Sequence, residues 1–310
     1  MTEAMKVLVL GAAGQVGSEI EGAFTRVSET LNVSRPGIIN TNRSDCDVSD
    51  PSAIEAIIDA HQPDWVINAA AYTAVDQAEL EPDLAYQINA VAPKILAECC
   101  SRAGARLIHI STDYVFSGAG EEPFTEESAT QPLGAYGATK LAGETAIKQA
   151  LSAHIILRTS WVFGAQGKNF IKTMLTLAAS RDEISVVADQ FGAPTSARAI
   201  AETIASIVLS MSEATPEDNR WGTYHFSGHP FTTWSAFAET VFLQAQKKGL
   251  INEAPQVISI TTAEYPTPAA RPLNSRLDCS KIVQTFGISP DDWKVSLAAM
   301  LESLKVVEDA

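Results

Sequence analysis

The chain has 310 residues, 46% of them hydrophobic and 19% charged, enough apolar material for one large α/β core and a smaller second unit. With 37 acidic against 22 basic residues it carries a formal charge of -15, which argues against the broad basic face that nucleic acid or an anionic membrane would need. Any phosphate ligand must meet local basic groups or backbone amides.

The first six residues include an acid and lead into only a short apolar run, so neither a signal peptide nor a spanning helix is expected. Val7-Leu8-Val9-Leu10 reads as a buried strand, and helical spacing follows over 15–24. Between them lies Gly11-Ala-Ala-Gly14-Gln15-Val16-Gly17. Glycines at this junction allow a tight turn and close backbone approach, so the helix N-terminus can hold a pyrophosphate. Gly11, Gly14, Gln15, Val16 and Gly17 are therefore expected to bind a dinucleotide.

The second strand, Ile38-Ile39-Asn40, runs into Thr41-Asn42-Arg43 with no carboxylate to take the adenosine ribose hydroxyls. Arg43 can pair with a 2′-phosphate instead, so Asn42 and Arg43 favour NADPH, with NADH as the alternative. The bland reading of Arg43 is a solvated loop cation. A helix over 53–61, the strand Trp65-Val66-Ile67-Asn68, a helix over 85–103 and strands over 107–111 and 155–158 continue the rhythm.

This alternation predicts a doubly wound parallel sheet, Rossmann-like, with ligands at the carboxyl ends of its strands. Beyond Trp161 the rhythm weakens into helical 170–179, strand-like 184–187, helical 197–211, a polar loop at 213–219 and prolines at 255, 266, 268 and 272. A smaller, interleaved C-terminal substrate-binding domain is expected. Its boundaries read as 166–195 and 229–310, leaving 1–165 with 196–228 to the dinucleotide-binding domain.

Tyr136 and Lys140 stand four residues apart on one helical face. A phenol is a poor proton donor near neutrality, and a cation beside it stabilises the phenolate and draws its pKa down. Alone, such a pair is more often an exposed helix surface. Here Ser111-Thr112-Asp113 ends a strand upstream, where Thr112 can bond the substrate oxygen and help tune the phenol. Tyr136, Lys140 and Thr112 are the expected catalytic residues, with Lys140 also reaching the nicotinamide ribose.

Taken together, Gly14-Gln15-Val16-Gly17, Asn68-Ala-Ala-Ala-Tyr72-Thr73-Ala-Val-Asp76, Ser111-Thr112-Asp113-Tyr114-Val115-Phe116, Tyr136-Gly-Ala-Thr-Lys140, Arg158-Thr-Ser-Trp161-Val-Phe163, Asp189-Gln190-Phe191-Gly192-Ala193-Pro194-Thr195 and Arg271-Pro272-Leu-Asn274 resemble the dTDP-4-dehydrorhamnose reductases among the extended short-chain dehydrogenases. The resemblance runs nearly end to end. It implies NADPH-dependent reduction of the C4 keto group of dTDP-4-dehydro-L-rhamnose to dTDP-L-rhamnose, with Tyr136 as proton donor. It also implies that Asp47 and Val48 border the adenine and that Ala70, Ala71 and Tyr72 line the cofactor. Thr112, Asp113 and Trp161 would touch the sugar, and Asn169 and Arg271 would meet the nucleotide diphosphate; the bland reading of Trp161 is a core aromatic.

Some relatives in that family are Mg-bridged dimers. Glu19 and Glu302 could serve such a bridge, but Arg198 stands where an acid is expected, so no structural metal is assigned. The five histidines lack HExxH-type spacing. The four cysteines form no CxxC pair, which fits a reducing cytoplasm. The expected partner is a nucleotide-sugar substrate, without nucleic acid or membrane, on a monomer or homodimer.

Three rivals share the fold. A 4,6-dehydratase resemblance expects an acid after Thr112-Asp113, where Tyr114 stands. A reductase or epimerase of another nucleotide deoxysugar is separated only by substrate and by net cofactor consumption. A non-catalytic NADP-binding regulatory subunit, like that of methionine adenosyltransferase, keeps the Tyr-Lys pair; Trp161 argues for the sugar enzyme.

Overall fold

The computed structural model describes residues 5–308. Five strands, β1 (Lys6–Leu10), β2 (Gly37–Thr41), β3 (Trp65–Asn68), β4 (Arg106–Thr112) and β5 (His154–Thr159), and a sixth, Gly222–His225, form one parallel sheet. Its order is Gly222–His225, β5, β4, β3, β1, β2. The order reverses between β1 and β3, so a crevice opens past Leu10 and Asn68 at the carboxyl ends, where ligands bind in such sheets.

Residues within β1 alternate between two cores. Val7 and Val9 enter the cluster under helices Gly17–Leu31 and Ala197–Ser210, with Ile20, Phe24, Ile200 and Ile204. Leu8 and Leu10 enter the opposite one, with Ile54, Leu96 and Ile147 from helices Pro51–His61, Ala92–Ala103 and Ala135–Ala150. Each such side chain, fully buried, contributes about 1.5–3 kcal/mol. A strand covered on both faces has no polar side, which is why these runs read as continuously apolar.

A second layer forms beyond β5. Glu183–Val187 pairs parallel with Gln256–Ile260, and helices Phe170–Ala178, Trp234–Lys248 and Trp293–Glu308 share a third core that includes Phe163, Ile184, Phe237 and Leu297. Short ladders join Val162–Phe163 to Thr195–Ser196 and Phe191–Gly192 to Thr232–Thr233.

Two elements differ from expectation. The single helix expected over 85–103 is instead Pro82–Tyr86, a π-helical turn Gln87–Val91, and Ala92–Ala103. Pro93 has no N–H to return to the Asn89 carbonyl, and that carbonyl instead faces Gly143, where a Cβ would lie only 2.1 Å away. The strand Gly222–His225 was not expected at all: Gly-Thr-Tyr-His lacks an apolar run, and its place beside β5 is set by tertiary packing. Among the described residues no helix is long and apolar enough to cross a membrane.

Candidate active site

The glycine turn is fixed by its surroundings. Gly11 has φ +78°, and a Cβ on it would sit 2.8 Å from Ala70 N; one on Gly17 would meet Gly11 O at 2.1 Å. The helix Gly17–Leu31 follows Val16 with no side-chain cap. A bare helix start beside a backbone that no side chain can fill is suited to a pyrophosphate, so these residues fit a dinucleotide.

At the end of β2, Asn42 Oδ1 accepts from Ser44 N at 2.8 Å and Ser44 Oγ at 2.6 Å, closing a turn that presents Arg43. Arg43 is 80% exposed at its side chain and pairs with Asp47 at 3.2 Å. Ser49 hydrogen bonds, then Arg43, hold the Asp47 carboxyl below the usual carboxylate range. Val48 packs on the second core. Asn42, Arg43, Asp47 and Val48 lie outside the cleft that holds Tyr136.

That cleft, of about 550 Å³, runs from Gly14, Gln15 and Val16 past Ala70 and Ala71 to Thr112, Asp113, Tyr136, Lys140 and Trp161. Gly11, Gly17 and Tyr72 do not line it. Tyr72 N donates to Asn89 Oδ1 at 2.9 Å, while its hydroxyl donates to Glu81 at 2.6 Å, which pushes its phenol up to about 12.

Tyr136 opens the helix Ala135–Ala150, with the Thr112 hydroxyl in bonding reach and the Tyr114 ring edge-on at 5.5 Å. Burial pushes the phenol well above its ordinary value, Asp113 and Tyr114 add to the rise, and Thr112 opposes it. Lys140, one turn on, is turned toward β4: its Nζ donates to Ile110 O at 2.7 Å and lies 3.0 Å from His109 Nε2. Burial brings Lys140 down to about 8, with Glu144 opposing. The expected lowering of Tyr136 by Lys140 is therefore not what this geometry produces, because burial dominates the phenol and the ammonium site is committed to β4.

Sequence spacing did not expose the groups behind the pair. Glu144, fully buried, accepts from Ser111 Oγ at 2.6 Å and from Arg158 Nε and Nη2 at 2.9 and 2.6 Å. Asp113 is held up to about 6 by burial; its Oδ1 accepts from Thr112 at 3.0 Å, and its Oδ2 has no hydrogen-bond partner although Ser275 lies near. A one-turn helical spacing from Lys140 to Glu144 was the available signal for Glu144.

Trp161 adopts φ +48°, an uncommon conformation for an aromatic residue, and its ring stacks on Trp234 at 3.8 Å. It therefore joins the cleft to the second layer. Asn169 donates to Gly164 O at 2.7 Å and Gln15 Oε1 at 3.1 Å, and caps the helix Phe170–Ala178 through Lys172 N. Arg271 donates to Asp76 at 2.7 Å, and its buried Nη1 makes no well-formed hydrogen bond among the described residues although the Tyr114 phenol lies near. Arg271 lines a second cleft, of about 640 Å³, that shares Val75 and Tyr114 with the first. Asn169 lines neither cleft and is engaged as a helix cap between them.

Glu19 lies 4.0 Å from Arg26, Glu302 pairs with Lys248 at 2.5 Å, and Arg198 pairs with Glu202 at 3.0 Å. Among the described residues no group of three or more potential ligands is placed to hold a metal ion.

The family described as RmlD substrate binding domain matches residues 5–306. A dTDP-4-dehydrorhamnose reductase of Escherichia coli K12 is 40% identical over 300 residues, covering 97% of this chain and 98% of its own. Two solved structures are similar throughout. The dTDP-4-dehydrorhamnose reductase of Clostridium acetobutylicum has a TM-score of 0.84 at 38% identity, and that of Bacillus anthracis, in complex with NADP, 0.82 at 34%. Each covers 97% of this chain and 100% of its own.

Proposed function

The chain belongs to the dTDP-4-dehydrorhamnose reductase family, and from that premise we propose that it reduces the C4 keto group of dTDP-4-dehydro-L-rhamnose with NADPH, Tyr136 donating the proton. The observation that carries this reading is the groove itself. Two adjoining clefts that share Val75 and Tyr114 run from the glycine turn, past Tyr136 and Thr112, to Arg271, which suits a dinucleotide lying end to end with a nucleotide sugar.

Gly14–Gly17 and Ala70–Ala71 would hold the dinucleotide, whose reduced nicotinamide would supply the hydride. The chain's own residues do the rest. Tyr136, held above its ordinary pKa by burial, is fully protonated near neutrality and so suits an acid that gives its proton to the forming alkoxide. Thr112, within bonding reach of the phenol, positions the same oxygen. Asp113, on the wall of the cleft, would meet a sugar hydroxyl, and the Trp161–Trp234 stack gives the ring an apolar wall. Arg271, on the wall of the second cleft and paired with Asp76, supplies the basic group for a phosphate oxygen. Arg43, exposed past β2, reads the 2′-phosphate and favours NADPH over NADH.

The test follows absorbance of the reduced nicotinamide with enzymatically generated dTDP-4-dehydro-L-rhamnose. One equivalent of NADPH oxidised per substrate is expected, with NADH slower. Tight nucleotide binding without oxidation of either would replace this reading with a regulatory one. Tyr136→Phe should keep cofactor binding and lose about 10²–10⁴ in kcat; near-normal turnover would remove Tyr136 from the chemistry.

A further inference from the structure

Behind Lys140 lies a buried hydrogen-bonded chain that the reaction above leaves unused. His109 is 0% exposed, Asn68 2% and Lys140 2%. His109 Nδ1 is 3.0 Å from Asn68 Nδ2, and His109 Nε2 is 3.0 Å from Lys140 Nζ. Asn68 Oδ1 accepts from Ala70 N at 3.2 Å, which fixes the amide with its NH2 toward the imidazole. An amide NH2 only donates, so Nδ1 is the acceptor. A neutral imidazole has one ring proton, which then sits on Nε2 and points at Lys140; only an uncharged amine has a lone pair to receive it. The bond from Lys140 to Ile110 O is a donation that either form of the lysine makes.

The ammonium needs the opposite arrangement. It would donate to Nε2, the ring proton would move to Nδ1, and Asn68 would turn Oδ1 to the ring, leaving Ala70 N–H facing another donor. The His109, Asn68 and Lys140 side chains are almost wholly shielded from solvent that could absorb the mismatch. We infer that Lys140 and His109 change state together: when Lys140 releases its proton to solvent, the imidazole proton passes from Nδ1 to Nε2 and the Asn68 amide turns over. The imidazole keeps one proton throughout, so the net change is the single proton lost from Lys140. Asn68 and His109 are then positioning residues, which set the protonation state of the lysine beside Tyr136.

The other charged and titratable groups around Lys140 do not supply this coupling. Glu144, from the same helix, favours the cation, but its oxygens are taken by Ser111 and by Arg158 of β5. Lys148 lies 3.8 Å beyond Glu144, and His225 contacts the far side of Arg158 at 3.5 Å. Tyr136 and Asp113 face the cleft. Burial, then the Lys140 charge, keeps His109 well below the ordinary imidazole value, so the imidazolium is not a third state. With Lys140 at about 8, the switch falls just above neutrality.

The coupling itself needs no substrate; its catalytic consequence rests on the reductase reading. The full chain, labelled with ¹⁵N-histidine and free of substrate and cofactor, is titrated from about pH 6 to about pH 10 by two-bond ¹H–¹⁵N NMR, with His109→Gln to assign the signal. Movement of the His109 proton from Nδ1 to Nε2 as pH rises is expected. One tautomer throughout, or an imidazolium at the acid end, overturns the inference. Asn68→Asp, an obligate acceptor, should pin the Nδ1–H form and move the alkaline limb of kcat/KM up by about one pH unit. An unshifted limb in a folded variant overturns the positioning role, and the wild-type titration decides the coupling if that variant does not fold. A tautomer switch without nicotinamide oxidation would sink the reductase reading alone; oxidation without the switch would sink this one alone.

Discussion

Arg43 and Asp113 show how differently single residues act. Arg43 reaches out from the end of β2 and, among the described residues, pairs only with Asp47, so little of the fold depends on it. Arg43→Ala should weaken NADPH about 10- to 100-fold, the worth of a charge-assisted contact, and barely change NADH; equal losses in titrations with the two cofactors would show that it does not read the 2′-phosphate. Asp113 is held at about 6 against 3.8 in its ordinary state. Because the folded value is the higher, its favourable contribution to stability is complete below pH 3.8 and is lost as pH rises through about 6. Asp113→Asn should therefore raise the thermal midpoint at pH 7.5, by an amount equivalent to at most roughly 3 kcal/mol, with the gain shrinking toward pH 4 while turnover falls. No gain at pH 7.5 in calorimetry would show that the carboxylate is better solvated than its burial implies. Arg43 was legible from its place just past β2, and Asp113 from the family resemblance; each follows the end of a strand. Sequence pattern did not reveal His109 behind Lys140, because they are 31 positions apart and meet only when β4 packs on the helix Ala135–Ala150.

The elements show where local pattern sufficed. β1, β3, β4 and β5 were legible because burial on both faces leaves a mostly apolar run, broken in β4 by His109, and the glycine turn because it sits between such a run and a helix. Gly17→Ala tests the turn: its Cβ would lie 2.1 Å from Gly11 O, so loss of dinucleotide binding with a lowered midpoint is expected. Retained binding would show that the turn relaxes. The helix Ala135–Ala150 depends on a buried pair, Glu144 with Arg158, at 0% and 2% side-chain exposure. Removing one partner strands the other charge, so Arg158→Met should cost about 3–5 kcal/mol in denaturant unfolding, whereas the double change with Glu144→Leu should recover much of it. An additive loss would mean that the pair stabilises outright. What pattern could not give was Trp161's left-handed backbone, a conformation imposed by its stack on Trp234 and by Thr195 N bonding to its carbonyl.

At the scale of the molecule, the chain leaves the large sheet after β5, builds Glu183–Val187, returns as Gly222–His225, and leaves again for Gln256–Ile260. Ligands that bridge the two layers should stabilise both together. At a hundred times its Kd, NADPH should add about 2.7 kcal/mol and move a single cooperative transition upward; two transitions with only one shifted would show independent layers. The second layer was harder to read because its strands are short and set by partners distant in sequence.

The late return of Gly222–His225 also bears on synthesis at the ribosome. β5, with Ile155, Ile156 and Leu157 in one stretch, leaves the exit tunnel about sixty residues before the strand that covers its open edge. At about 5–20 residues per second the delay is roughly 3–12 s, long enough for an unpaired apolar edge to meet a chaperone or another nascent chain.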